Sequence, residues 1–342
     1  MKQLITSAIL LLFASGCALA QEANDFKTYY ANADGKSGAE LKTALCGIIY
    51  NRTERSYGDL WTDFRTTDKR EDGKVWDMYS NVTNYTFGTD QAGQTVAEGV
   101  NYNREHSFPK SWFGENKPMY TDLFHLYPTD TYVNNARGNL PFGETNGLKS
   151  NGKEDYKSTN GFSKRGVCTY PGYTGTVFEP NDIYKGDFAR TYFYMVTCYE
   201  EKLPDWYNNY GSKEGVKPTI DGSKYPGLST WQLEMLMKWA TNDPVSEKET
   251  NRNNAVYSIQ GNRNPFIDYP GLEQYIWGSM KNQAFSYNNY VQPTAISTIS
   301  SEADNKEPEA IFSPDGKRRY QLQKGLNIVR QKNGKTVKTL KR

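Results

Sequence analysis

Two histidines, His106 and His125, stand nineteen residues apart in one polar, aromatic-rich stretch, and the chain has no others. Histidine is the side chain whose ordinary pKa suits proton transfer near neutral pH, so an acid–base mechanism has only these two candidates. Both lie in runs dense in metal-ligating and anion-binding residues. The first run is Asn103-Arg104-Glu105-His106-Ser107-Phe108-Pro109-Lys110-Ser111-Trp112-Phe113. The second is Asp122-Leu123-Phe124-His125-Leu126-Tyr127-Pro128, followed by Val133-Asn134-Asn135-Ala136-Arg137-Gly138-Asn139-Leu140-Pro141-Phe142-Gly143. Phosphodiester hydrolysis needs an activated water, a charge clamp on the phosphate and help for the leaving oxygen. Glu105 and Asn134 offer hard oxygen ligands suited to Mg²⁺, which keeps several of its waters. His106 is placed to deprotonate the attacking water. Arg137, or Arg104, can hold a non-bridging phosphate oxygen. His125 reads as a support that orients the neighbouring helix or a metal-bound water, with direct ligation as the alternative.

These residues need a frame. Residues 99–106 read as a strand broken by Pro109, and residues 120–127 as a second strand ended by Pro128. Thr129 or Asp130 then caps a short helix on which Asn134 and Arg137, three apart, share a face. Adjacent residues of a regular strand point to opposite sides. Glu105 and His106 can therefore serve one site only if the strand ends or bulges there, which the Ser107-Phe108-Pro109 break predicts. Around this frame, apolar periodicity predicts helices over 39–50, 187–203 with Pro204 as the stop, 229–240, and 246–259. Strand signals are few and short. The expected fold class is α+β, a mainly helical domain with a small sheet near residues 95–130.

The sequence resembles the bacterial endonuclease I family of periplasmic and secreted nucleases with a ββα-metal active site. The matching stretches are NREHSFPKSWFGE at 103–115, DLFHLYPTD at 122–130, VNNARGNLPFGE at 133–144 and DPVSEKETNRNNAVYSIQGNRNPFIDYP at 243–270, in the family's order. The resemblance covers most of residues 39–280. It implies that His106 is the general base, that Glu105 and Asn134 hold the metal, and that Mg²⁺ is the cofactor with Mn²⁺ able to substitute. It also implies low sequence specificity and products bearing 5′-phosphates on DNA, and on RNA if that too is a substrate. Arg104, Asn139 and Arg263 are the further substrate-binding candidates, and Arg137 joins His106 in the catalytic set. The asparagines around Arg263 are read as loop-locking residues, because Asn readily bonds its own backbone.

At 342 residues, with 37% hydrophobic and 14% aromatic residues including 26 tyrosines, the chain can build a sizeable core, though one rich in phenolic hydroxyls. Residues 1–20 read as an export signal: Lys2, an apolar run from Leu4 to Phe13 too short to span a bilayer, and Ala18-Leu19-Ala20. A lipoprotein signal with Cys17 as the lipidated residue is the alternative. The expected locations are therefore secreted, periplasmic or cell-surface. The nuclease-like domain is expected over 21–283, a polar linker over 284–310, and a short β-rich meander over 311–342 with turns at Asp315-Gly316 and Asn333-Gly334. That last segment resembles the basic C-terminal sorting modules of the type IX secretion route. Net charge is +2 overall, yet residues 306–342 carry eleven Lys/Arg against three Asp/Glu, and residues 21–305 are left at −7. A nucleic-acid enzyme so charged must attract its substrate through a local basic feature. The expected partners are nucleic acid and, through the tail, secretion machinery; the expected state is a monomer. Among Cys46, Cys168 and Cys198, one bridge, Cys168–Cys198, or three buried thiols are the readings left open. Two rival functions remain: a zinc hydrolase, disfavoured because HExxH is absent, and a non-catalytic surface protein that binds nucleic acid.

Overall fold

A computed structural model describes residues 27–94 and 96–293, together with strand residues 308–312, 318–319, 325–331 and 336–341. In chain order the first unit contains α1 (Gly38–Ile49), α2 (Leu60–Thr67), β1 (Tyr102–His106), β2 (Leu126–Asp130) and α3 (Thr131–Arg137). Then come β3 (Tyr156–Lys157), β4 (Lys164–Val167), β5 (Thr176–Glu179), α4 (Lys185–Cys198) and α5 (Leu203–Tyr210). Helices α6 (Val216–Thr219), α7 (Thr230–Asn242), α8 (Glu247–Gln260), α9 (Pro265–Asp268) and α10 (Leu272–Ile276) complete it.

Helix α4 is the axis of this unit. Every residue from Gly186 to Cys198 is buried, so the helix is covered on all sides. A helix apolar around its whole circumference belongs in a core, and here α1, α7 and α9 pack on it. Its charged residues survive burial by pairing: Arg190 binds Glu249 of α8, and Asp187 accepts from Lys248. Helix α8 opens with a reciprocal capping box between Ser246 and Glu249. It is moored to the rest by Arg252, whose guanidinium holds Asp68 and the carbonyls of Leu123 and Leu126. The tyrosine hydroxyls serve the same end. Tyr194 and Tyr199 both donate to Asp122, and Tyr30 donates to Asp268. Strands β3, β4 and β5 form a separate antiparallel sheet.

The expected strand–strand–helix frame is present, with shifted edges. β1 pairs antiparallel with β2 in regular register from Tyr102↔Asp130 to His106↔Leu126. The first strand therefore starts at 102 and not 99. The second starts at 126, because the Asp122 side chain accepts from Phe124 N and turns residues 123–125 into a 3₁₀ helix. Pro128 lies inside β2, opposite Arg104, and does not end it. A two-stranded ribbon has free edges, so the missing N–H costs no ladder bond. Likewise Pro204 starts a helix rather than stopping one: it occupies the first turn of α5, where no N–H partner is needed.

Two further expectations change. Residues 284–293 are part of the first unit, not a linker. Phe285 is fully buried and exchanges backbone bonds with Gly35 and Lys36, and Tyr290 donates to the Pro270 carbonyl. Polar neighbours mask these widely spaced anchors in the sequence. The Cys168–Cys198 bridge is not formed; Cys46, Cys168 and Cys198 are free and buried. Cys46 Sγ instead reaches the Cys198 carbonyl, at 3.3 Å, and Cys168 Sγ the Tyr170 carbonyl, at 3.7 Å.

The second unit is an antiparallel sheet of β6 (Pro308–Phe312), β7 (Arg318–Arg319), β8 (Gly325–Gln331) and β9 (Thr336–Lys341). Its order is β7-β6-β8-β9, so β6 is central and the sheet is not a simple meander. The export signal, Cys17, residues 294–307 and both expected turns lie outside the described residues. No helix among the described residues is long and apolar enough to cross a membrane.

Candidate active site

The frame begins with a cap. Asp130, the last residue of β2, accepts from Val133 N and starts α3, while its other oxygen takes Gly99 N and the Tyr85 hydroxyl. The Asp130 N–H is itself held by Asp77 at 3.0 Å. Helix α3 is thereby fixed directly after β2 and packs on both strands.

β1 keeps regular register up to His106 and ends there, as the Ser107-Phe108-Pro109 break predicts, with no bulge before it. Glu105 turns to the α3 side. Its Oε1 accepts from the Tyr79 hydroxyl at 2.8 Å and from Arg137 Nη1 at 3.0 Å. Burial pushes this carboxyl up, opposed by Arg137 and Tyr79. Both side-chain bonds go to Oε1, so Oε2 is the oxygen on offer to a cation. Arg137 is 1% exposed, and both of its terminal nitrogens are engaged internally. Its Nη1 also reaches the His106 carbonyl, and its Nη2 reaches the Ser107 carbonyl at 2.6 Å and Tyr192 Oη at 3.5 Å. The expectation that Arg137 clamps phosphate is therefore corrected. It is the internal tie between Glu105, the end of β1 and α3.

His106, the last residue of β1, has its own set of partners. Its Nε2 lies 3.0 Å from the Tyr120 carbonyl, which can only accept, so Nε2 carries the proton and Nδ1 the lone pair. The ring stacks on Tyr120 at 5.1 Å and 24°, and lies near-parallel to Tyr57 at 6.0 Å. Burial, then His125, then the Lys110 and Arg104 charges hold the imidazole well below its ordinary value, so it is neutral near pH 7. His125 is fully buried. Its Nε2 meets the Met119 carbonyl at 2.7 Å and its ring lies 5.4 Å from that of His106. Its carbonyl also receives both Ser107 N and Ser107 Oγ. It supports the turn after β1.

Asn134 lies half-buried on α3, and its amide has no hydrogen-bond partner among the described residues. Asn139 is exposed just beyond the helix. Arg104 is half-buried, with Nη1 on the Tyr57 carbonyl at 2.6 Å and the guanidinium between the Tyr57 and Trp61 rings. Burial lowers its pKa, which still leaves it a cation. Arg263 departs from expectation. It is 4% exposed and bound to both oxygens of Asp268 and to Asn254, so it is a loop tie and not a phosphate contact. The asparagines around it are locking residues: the Asn253 side chain binds both the N–H and the carbonyl of Asn264, and Asn262 donates to the Ile49 carbonyl. Sequence reasoning missed Tyr57, Tyr79, Tyr120 and Tyr192. Tyr120, placed in the expected second strand, was within reach; the others sit far away in the chain among many tyrosines and carried no signal.

The donors on offer for a metal, the free Glu105 oxygen and the Asn134 amide oxygen, are hard oxygens and fit Mg²⁺ with its remaining positions filled by water. No three His, Cys, Asp and Glu side chains cluster as a metal site among the described residues. Together, the α+β fold and a carboxylate, a carboxamide and a neutral imidazole on one strand–strand–helix frame define a class of site rather than a single protein. Within that class the comparisons are specific. The Endonuclease I family model matches residues 37–271. The extracellular ribonuclease of Bacillus amyloliquefaciens is 37% identical over 258 residues, 74% of this chain and 79% of that protein. The extracellular ribonuclease of Bacillus subtilis (strain 168) is 36% identical over 279 residues, 80% and 84% of the two chains. The extracellular deoxyribonuclease of Aeromonas hydrophila is 26% identical over 154 residues, 45% and 52%. The chain belongs to the endonuclease I family.

Proposed function

We propose that this protein is an exported endonuclease that hydrolyses phosphodiester bonds of both RNA and DNA with Mg²⁺ and without strong sequence preference. The observation that carries the reading is the geometry of His106: its Nε2 lies 3.0 Å from the Tyr120 carbonyl, which takes the N–H and leaves the Nδ1 lone pair to accept a proton. In this reading Nδ1 takes a proton from water as that water attacks phosphorus, the bond from phosphorus to the 3′-oxygen breaks, and the 5′-phosphate stays on the product. Glu105 and Asn134 would hold the cation, which when bound supplies charge neutralisation at the phosphate and the leaving oxygen. Arg137 keeps Glu105 and the end of β1 in register. With Arg137 and Arg263 engaged internally, Arg104 and Asn139 are the remaining substrate contacts. Water as nucleophile makes no use of a 2′-hydroxyl, so the chemistry tolerates either sugar. That agrees with relatives named as ribonucleases and as a deoxyribonuclease. Export rests on the N-terminal segment and on the extracellular character in those relatives' names.

The test is incubation of the purified mature protein with plasmid DNA and with RNA, with and without EDTA, beside His106→Ala. Scission of both substrates, abolished by EDTA and reduced ~10²–10⁴-fold by the substitution, is expected. Wild-type rates in the alanine variant would remove His106 from the mechanism, and activity with zinc alone would favour the zinc-hydrolase reading.

A further inference from the structure

The general base stands in a stack that reaches back to a different part of the chain. Arg104 and His106 both approach the Tyr57 ring. The Arg104 guanidinium carbon lies 3.6 Å from the Tyr57 ring centre and 4.2 Å from that of Trp61. The Tyr57 and Tyr120 ring centres are 4.6 Å apart with the planes inclined at 31°. The Tyr57 ring is also near-parallel to the His106 ring itself, 6.0 Å away at 20°. Tyr120 in turn stacks on His106 and supplies the carbonyl that holds its Nε2–H. Lys110 Nζ lies 5.6 Å from the Tyr120 ring.

We infer that Tyr57 is a positioning residue: a clamp braced by Arg104 that fixes Tyr120 and, through it, the plane and tautomer of the His106 imidazole. A neutral imidazole works only if the unprotonated nitrogen faces the reacting water, and a ring flip exchanges the two nitrogens. One hydrogen bond to a carbonyl leaves the ring free to rock about that bond; a stacked neighbour removes this freedom. Misplacement of a catalytic group by about 1 Å can cost ~10²-fold in rate. The stack therefore acts on turnover and not on substrate affinity. This inference rests on His106 being the base.

The experiment compares Tyr57→Phe, Tyr57→Met and Tyr57→Leu in the full chain by steady-state kinetics on DNA. Alongside, ¹⁵N NMR of the metal-free proteins reads the His106 imidazole tautomer and the protection of its Nε2–H. The aromatic variant should keep kcat within about twofold and retain the protected Nε2–H signal, because the ring face does the work. The two aliphatic variants should lose ~10–100-fold in kcat with KM nearly unchanged, and show a mixed tautomer or a rapidly exchanging proton. A raised KM with unaltered kcat would make Tyr57 a substrate contact and overturn the inference. So would an intact, protected signal in either folded aliphatic variant. His106→Ala with wild-type rates would sink the base assignment alone, since the NMR result judges the clamp without reference to catalysis.

Discussion

The Arg137 guanidinium holds one carboxylate and the carbonyls of His106, Ser107 and Gly138, so losing it has two separable effects. It leaves Glu105 buried without its counter-charge, which costs about 3–5 kcal/mol, and it frees the end of β1. Urea unfolding of Arg137→Met should show that loss of stability together with a fall in activity. A phosphate hand would instead give normal stability and a raised KM, and that outcome would restore the role expected from sequence. The metal ligands separate from the base in a titration. Asn134→Ala should need more Mg²⁺ and regain activity as Mg²⁺ rises, whereas His106→Ala should not respond. Indistinguishable curves would remove the division of labour. His106 and Glu105 were legible because their types are rare and their neighbours distinctive. The job of Arg137 was not, since three of its partners are main-chain carbonyls, which any residue supplies. Arg263 misled for a related reason: its acidic partner, Asp268, stands only five residues on and reads as part of a polar loop.

Helix α3 is as well placed as its cap. Asp130→Ala removes the bond to Val133 N, worth about 1 kcal/mol, and also leaves Tyr85 and Gly99 without their acceptor. Thermal unfolding should show a loss of at least that size, and the Mg²⁺ requirement should rise as Asn134 shifts; an unchanged requirement would mean that packing alone places the helix. Helix α10 makes a different prediction. Burial lifts the carboxyl of Glu273 to about 7. The native state therefore binds this proton over a range where the unfolded chain, with an ordinary carboxyl near 4.5, has released it. By linkage, stability falls as pH rises through that window and levels off above the folded value. Glu273→Gln should flatten the slope between roughly pH 5 and 7; a slope identical to wild type would place the titration elsewhere. Long periodic helices such as α1 and α7 were readable from the sequence, because one face is consistently apolar. The start of β2 was not. Whether residues 120–125 extend or turn is decided by a side-chain bond from Asp122 to Phe124 N, which periodicity does not register.

For the whole molecule, the boundary after Pro293 sets where the chain can be cut. Ending it at 283 removes Phe285 and Tyr290 from their packing and should lower the melting temperature. Ending it at 293 should not, and equal melting of the two products would return 284–293 to linker status. The shorter cut also tests the basic tail. If the tail is an address, the protein ending at 293 cleaves DNA like the full chain at low and moderate salt. If it is an electrostatic handle, activity falls at low salt only, because phosphate contacts act through counterion release. The address is the expected result. The unusual tyrosine content has a consequence at this scale too. Tyr79, Tyr194 and Tyr199 donate to buried carboxylates, and burial holds their hydroxyls well above 10. None can ionise without setting two anions side by side in the core. As alkali is added, the exposed phenols should turn to phenolate gradually, and the buried set should follow in one abrupt step when the chain opens. The ultraviolet absorbance of phenolate then becomes a label-free gauge of unfolding, written into the protein by the same hydroxyls that hydrogen-bond its interior carboxylates.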